Sequence, residues 1–228
     1  MKHQTNSNFP TFRSWLRKSQ RDFARIPVLI WLNFLTIIFL GLLGIYAEVR
    51  SKGQGIENLF SDPFEASVFY LGWLTSISEI MWCVAIAICG FTTALLPRSE
   101  YRFKVFLSFS ALLMALLYFD DRFRLTLMLC AFFGAYRAVK ITVYLIYGLF
   151  LVVYARVFRF TIKKTPYVPL LIAFCLFGFS SAIDITPLSS RGIHAMLEDG
   201  TKLIGLVNLM VYFWYVCQRK IRYKIRAQ

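Results

Sequence analysis

The chain has 228 residues, of which 58% are hydrophobic and 18% aromatic. A water-soluble domain of this length cannot bury so much apolar side chain, which excludes a soluble enzyme or binding domain. Twenty-six Lys and Arg stand against twelve Asp and Glu, a formal charge of +14, but they punctuate long apolar runs, as in a membrane protein rather than a nucleic-acid binder.

Residues 1–26 are polar and basic. Within them Phe12, Trp15, Leu16, Phe23 and Ile26 recur at approximate helical spacing, with Arg13, Arg17, Lys18, Arg21 and Arg25 between. This predicts a basic amphipathic helix on an anionic inner leaflet. Docking of a cytoplasmic partner is one reading of it; charge that only sets topology is the plainer one.

The first apolar run is too long for a signal-peptide core, and no small-x-small cleavage site follows. It predicts an uncleaved span over 27–47, opened by Pro27 at the helix start. Further spans are predicted at 68–96, stopped by Pro97, and at 103–119, 138–155, 166–185 and 197–217, with a basic tail at 218–228. The stretch LTLMLCAFFGAY at 125–136 is apolar but falls short of the roughly twenty residues a straight helix needs to cross. It reads as a re-entrant or interfacial helix, with a long kinked extension of the fourth span as the alternative.

Charge tests the count. With both termini cytoplasmic, four inner segments hold eighteen of the 26 Lys and Arg, as the positive-inside rule requires; a seventh span would put the last two basic stations outside. The expected fold is therefore all-α, a bundle of six transmembrane helices over 27–217 with both termini on the cytoplasmic side. The five cysteines (Cys83, Cys89, Cys130, Cys175 and Cys217) are odd in number, lie in or beside apolar runs and form no C-x-x-C, so they read as small buried hydrophobes.

The acids are asymmetric. Only Asp22 and Glu100 fall on the inner side; Glu48, Glu57, Asp62 and Glu65 occupy one outer loop. Six remain. Asp120 and Asp121 cap the outer end of the third span, Asp184 lies in the last turns of the fifth, and Glu198 and Asp199 open the sixth. Glu79 sits roughly 16 Å into the second span at 1.5 Å per residue. A charge near the bilayer centre costs about 2.5–3.5 kcal/mol, so Glu79 must be protonated, paired or turned to a polar interior. These positions predict an outward-facing acidic pocket between spans two, three, five and six. His194, Glu198 and Lys202 share one helix face. Lys202 is expected to neutralise Glu79, Asp120 or Glu198, with Arg122, Arg124, Arg137 and Lys140 as further partners. Ser76, Ser78, Ser180, Ser181 and Asn208 are expected to supply hydrogen bonds between helices.

Three chemistries suit such a cluster. One histidine among carboxylates fits a hard cation such as Mg²⁺, Ca²⁺ or Mn²⁺ better than zinc. Crowded carboxylates can do acid–base work, though no G-x-S-x-G, H-E-x-x-H or phosphate loop is present. Ion pairs between helices are the plain reading. A cation path is weakened because no acid lies in the inner half of any span.

The strings SISEIMWCVAIAICGF, YFDDRFRLTL, SSAIDIT and LEDGTKLIG resemble a family of uncharacterised bacterial multi-spanning membrane proteins, over residues 71–215. The matching positions are Glu79, Asp120, Asp121, Asp184, Glu198, Asp199 and Lys202. That family carries a His-Glu pair shortly after its Asp-Asp, where this chain has Thr126 and Leu127. A remoter similarity to ceramidase-like membrane hydrolases lacks their histidine pairs. The resemblance implies bacterial origin and no established activity. The functional expectation is a non-catalytic accessory or assembly component, binding a small cation or lipid headgroup, with the bilayer and other membrane subunits as partners and no nucleic acid. A metal-dependent lipid hydrolase and a cation transporter are the alternatives; no cofactor is assigned.

Overall fold

A computed structural model describes residues 26–51, 59–60, 72–186 and 191–225. The N-terminal segment 1–25, including the predicted amphipathic helix, and the acids Glu57, Asp62 and Glu65 lie outside the described residues. The described chain forms α1 (Pro27–Ser51), α2 (Trp73–Leu95), a 3₁₀ turn (Arg98–Glu100), α3 (Tyr101–Phe123), α4 (Leu125–Phe133), α5 (Tyr136–Val157), α6 (Arg159–Lys163), α7 (Val168–Ile185) and α8 (Arg191–Ile225). There are no strands among these residues. Six helices, α1, α2, α3, α5, α7 and α8, are long and apolar enough to cross a membrane. The chain is an all-α, multi-pass membrane bundle.

Helix ends follow local chemistry. Leu96 leaves the helical region at ψ 139° before Pro97, as the steric demand of a following proline requires. Pro169, second in α7, removes an N–H that has no intrahelical acceptor there. Several helices run past the apolar stretches that mark them in the sequence, because backbone hydrogen bonding does not stop at the edge of a hydrophobic run. Asp120 and Asp121 thus lie inside the last turns of α3 rather than capping it. Glu198 and Asp199 lie seven and eight residues past the start of α8 rather than opening it, and residues 218–225, read as the start of a tail, continue the helix.

The segment after α3 settles into a separate short helix. Arg124 (φ 50°) and Gly134 (φ 68°) both adopt the left-handed region, and these two breaks detach α4 from α3 and from α5. The extension of the fourth span is thereby overturned. Gly134 takes this conformation without steric penalty, whereas Arg124 has a Cβ to accommodate. Asp120 compensates at the break: its Oδ1 accepts the Thr126 backbone N–H at 2.8 Å and the Thr126 hydroxyl at 2.8 Å, serving otherwise unpartnered donors at the start of α4.

The axis of the bundle is α8. Two thirds of its apolar window is buried, against 11% for α5, and Leu206, Val207, Asn208, Leu209, Tyr212 and Phe213 are almost wholly enclosed. Helices α1, α2 and α7 pack on it. Gly205 makes the contact with α7 close: a Cβ there would fall 3.0 Å from the Phe177 ring. One face of α1 meets α8 through Leu29, Val207 and Val211, while Trp31, Leu35, Leu42 and Ile45 stay exposed, as lipid-facing side chains do.

Midway along this contact, Asn33 and Asn208 exchange amide hydrogen bonds at 2.7 and 3.3 Å. Each amide also donates to the carbonyl one turn back, Leu29 and Ile204. Bonds of this kind between membrane helices are worth about 0.6 kcal/mol on average and up to about 1.7. A double-mutant cycle of Asn33→Ala and Asn208→Ala, read by reversible denaturation in mixed micelles, should give about 1 kcal/mol of coupling. Additive losses would mean that α1 is held by packing alone.

The outermost long helix, α5, is tied at both ends. Near the end where α1 begins and α8 finishes, the Tyr154 hydroxyl lies 2.6 Å from that of Ser110, and Phe158 packs edge-on against Phe106. Arg98, Arg102, Arg156, Lys163, Lys164 and Arg219 gather at this basic end. At the opposite end α5 is tied to α7. Between the two ties a cavity opens.

Candidate functional site

The cavity has a volume of about 750 Å³ and is bordered by α2, α3, α4, α5, α7 and α8. Its α5 wall comprises Lys140, Ile141, Tyr144, Leu145, Tyr147, Gly148 and Leu151, one helical stripe roughly 16 Å long. Lys140 and Tyr144 mark the upper, polar end. Leu151, Trp82, Leu117, Phe174 and Phe177 make the lower part apolar. Leu145 and Gly148 border the cavity and are also exposed, so it reaches the lateral surface of the bundle beside α5.

Glu79, Asp120, Asp121, Asp184, Glu198, Asp199 and Lys202 all border this one space. His194 does not. Its Nε2 lies 3.1 Å from the Ile183 carbonyl and 3.2 Å from that of Thr186, while Nδ1 is 3.3 Å from Glu198. His194 therefore fastens the start of α8 to the end of α7. With Nε2–H donating to a carbonyl, the Nδ1 contact with Glu198 is satisfied when one partner carries a proton.

The lining mixes charges, with acids in excess. Arg122, Arg124, Lys140 and Lys202 stand among the six acids, and three of the four form ion pairs across helices. Arg122 reaches Glu79 at 3.0 Å, joining α3 to α2. Lys140 reaches Asp184 at 2.7 Å, joining α5 to α7, and the Tyr144 hydroxyl donates to the other Asp184 oxygen at 2.5 Å. Lys202 donates to Asp121, joining α8 to α3. Its expected partners were Glu79, Asp120 and Glu198. The reassignment follows from geometry: Glu79 is occupied by Arg122, Asp120 by Thr126, and Glu198 by His194.

The pocket expected between four spans has a fifth contributor, α5, and a sixth in α4. The fourth span escapes an argument built on acids because it carries none; its contributions are Lys140, two tyrosines and a glycine. Of the hydroxyl and amide groups expected to join helices, Asn208 does so. Ser78 instead donates to Thr75 on its own helix at 2.8 Å.

Two features stay open in this lining. Among the described residues no ion pair reaches Asp199 or Arg124. Trp82, stacked on Phe177 at 5.7 Å and only 2% exposed, has no hydrogen-bond partner for its indole N–H. The described residues include no group of three His, Cys, Asp or Glu placed to hold a metal ion. The five cysteines are free.

No curated protein and no solved structure matches the chain. A family model described as Domain of unknown function (DUF8692) matches residues 30–216, and the chain belongs to that family.

Proposed function

We propose that the chain is a non-catalytic accessory or assembly component of the bacterial inner membrane, with both termini cytoplasmic, whose cavity holds a lipid headgroup at the outer leaflet. The supporting observation is the polarity gradient along the cavity, charged near Lys140 and Asp184 and apolar near Leu151 and Phe174. That gradient follows the long axis of an amphiphile. A volume of about 750 Å³ falls in the ordinary range for organic ligands, large for a bare cation and too small for a whole two-chain lipid. The headgroup and the first part of a chain fill it, and the remainder lies in the bilayer beside Leu145.

A metal-dependent hydrolase draws less support from this lining. Glu79, Asp121 and Asp184 are each held by a basic side chain, and the described residues offer no three-donor set.

Filling the cavity without touching a charge tests the lipid reading. Gly148 borders the space, and a Cβ there meets nothing within 4 Å; leucine is also the better helix former. Purified in a mild non-ionic detergent, the wild-type chain should retain about one phospholipid per protein, stabilising it against heat by linkage. Gly148→Leu should retain less than about a third of that while unfolding no earlier than the delipidated wild type. A wild-type protein without bound phospholipid, or one whose melting temperature ignores added lipid, would overturn the reading.

A further inference from the structure

The lining carries more negative than positive charge. Removing the three cross-helix ion pairs from the six acids and four bases leaves Asp120, Glu198 and Asp199 against Arg124. Asp120 is engaged by Thr126, and Glu198 has His194 on one oxygen. Glu198 and Asp199 are adjacent on α8, about one turn before Lys202, which is itself committed to Asp121. An unmatched carboxylate in a partly dry site takes up a proton or a cationic partner.

A second, separate observation lies deeper. The Trp82 indole N–H is enclosed and has no acceptor, and Trp82 borders the apolar part of the same cavity. A buried donor of this kind seeks an oxygen. The cavity therefore presents more carboxylates than cations, a guanidinium in no direct ion pair among the described residues, an N–H in want of a carbonyl or ester oxygen, and an apolar channel beneath.

We propose, on the basis of the lipid reading above, that the cavity selects a zwitterionic phospholipid whose headgroup ends in a primary ammonium. The ammonium donates to Glu198 and Asp199, the phosphate lies against Arg124, and Trp82 donates to an ester oxygen. A primary ammonium has three N–H donors for carboxylates, whereas a trimethylammonium has none. Two neighbouring acids with no third donor grouped beside them suit an ammonium better than a divalent metal, which gathers several donors around one point.

Full-length protein in mild detergent, offered equal amounts of phosphatidylethanolamine, phosphatidylcholine and phosphatidylglycerol with identical chains, tests this by native mass spectrometry. Phosphatidylethanolamine should be retained about tenfold over each of the others, the discrimination one charge-assisted hydrogen bond supplies. Asp199→Asn with Glu198→Gln should bring phosphatidylethanolamine and phosphatidylcholine within about twofold of each other, with lipid still bound. Trp82→Phe keeps a ring on Phe177 and should lower retention of both lipids alike, leaving their ratio unchanged. Equal retention of the two by the wild type, with Gly148→Leu still shedding lipid, would overturn ammonium selection while leaving the lipid site standing. Preference for phosphatidylglycerol would overturn it as well. Displacement by free ethanolamine would overturn the commitment to a lipid, and absence of any bound lipid would overturn the underlying reading instead.

Discussion

Lys140→Ala is expected to be the most damaging single change at the cavity, lowering stability by about 3–5 kcal/mol. Lys140 is 6% exposed and reaches Asp184 at 2.7 Å, so truncation leaves a carboxylate enclosed with only the Tyr144 hydroxyl to meet it. The loss exceeds the value of the pair itself, because the orphaned charge has been taken out of water without compensation. Position adds to it. Away from its basic end, α5 is joined to α7 by Lys140 and Tyr144 on Asp184, while Tyr147 lies beside Asp120 of α3 and the short helix α4 packs alongside. Reversible unfolding in mixed micelles reads the effect. The double variant Lys140→Met, Asp184→Asn should recover more than half of the loss, since a neutral amide can still accept from Tyr144. A loss under about 1 kcal/mol for Lys140→Ala would be that of a solvated surface pair, and would overturn the role assigned to this pair in holding α5 against α7.

The sequence carried the count and approximate placement of the spans because both rest on quantities summed along one helix: apolar length and the prolines at 27 and 97. A proline acts on its own neighbours, so its effect is legible wherever it stands. The break at Arg124 is of another kind. Nothing about an arginine announces a left-handed backbone, and the Asp120 side chain that serves Thr126 across the break belongs equally to a helical string of residues. The separate status of α4 was therefore visible as a shortage of length but not as a pair of φ angles.

Pairing was the least legible feature. A count of acids identified the residues that border the cavity, because charge within a span is rare enough to demand a polar neighbour. Which neighbour depends on how each helix is rotated about its axis relative to the next, and that rotation is set by packing such as Gly205 against Phe177. Lys202 consequently meets Asp121 rather than the three partners expected for it. The same blindness hid Asn33, an isolated polar residue in a run of leucine and isoleucine that is explained only once Asn208 is beside it. It also hid α5, whose Tyr144 and Gly148 are ordinary residues of an apolar helix until the cavity gives them a shared face.

Helix α8 contains its own control for the energetic value of the site. Lys202 and Lys220 lie on the same helix, and each makes one ion pair with α3 or the turn before it, to Asp121 and to Glu100 respectively. The partners differ in setting. Glu100 is 34% exposed at the basic end, where water solvates whichever charge is left, and Phe103 still faces the Lys220 ammonium position at 5.3 Å. Lys220→Met should therefore cost about 0–1 kcal/mol. Lys202→Met leaves Asp121 at 23% exposure in a lining already richer in acid, and removes the cation nearest Asp199 along the helix. Its cost should reach about 3 kcal/mol, approaching that of a broken buried pair. Adding Asp121→Asn to Lys202→Met should restore most of that loss, whereas Glu100→Gln added to Lys220→Met should change little. Salt separates the pairs further: a solvated pair is screened at the ionic strengths used to handle membrane proteins, an enclosed one much less. Raising NaCl should narrow the small Lys220 difference and leave the Lys202 difference standing. Equal costs at the two lysines, both fading with salt, would mean that water reaches the cavity as freely as it reaches the basic end, and the stabilising role assigned to its cross-helix ion pairs would fall with that result.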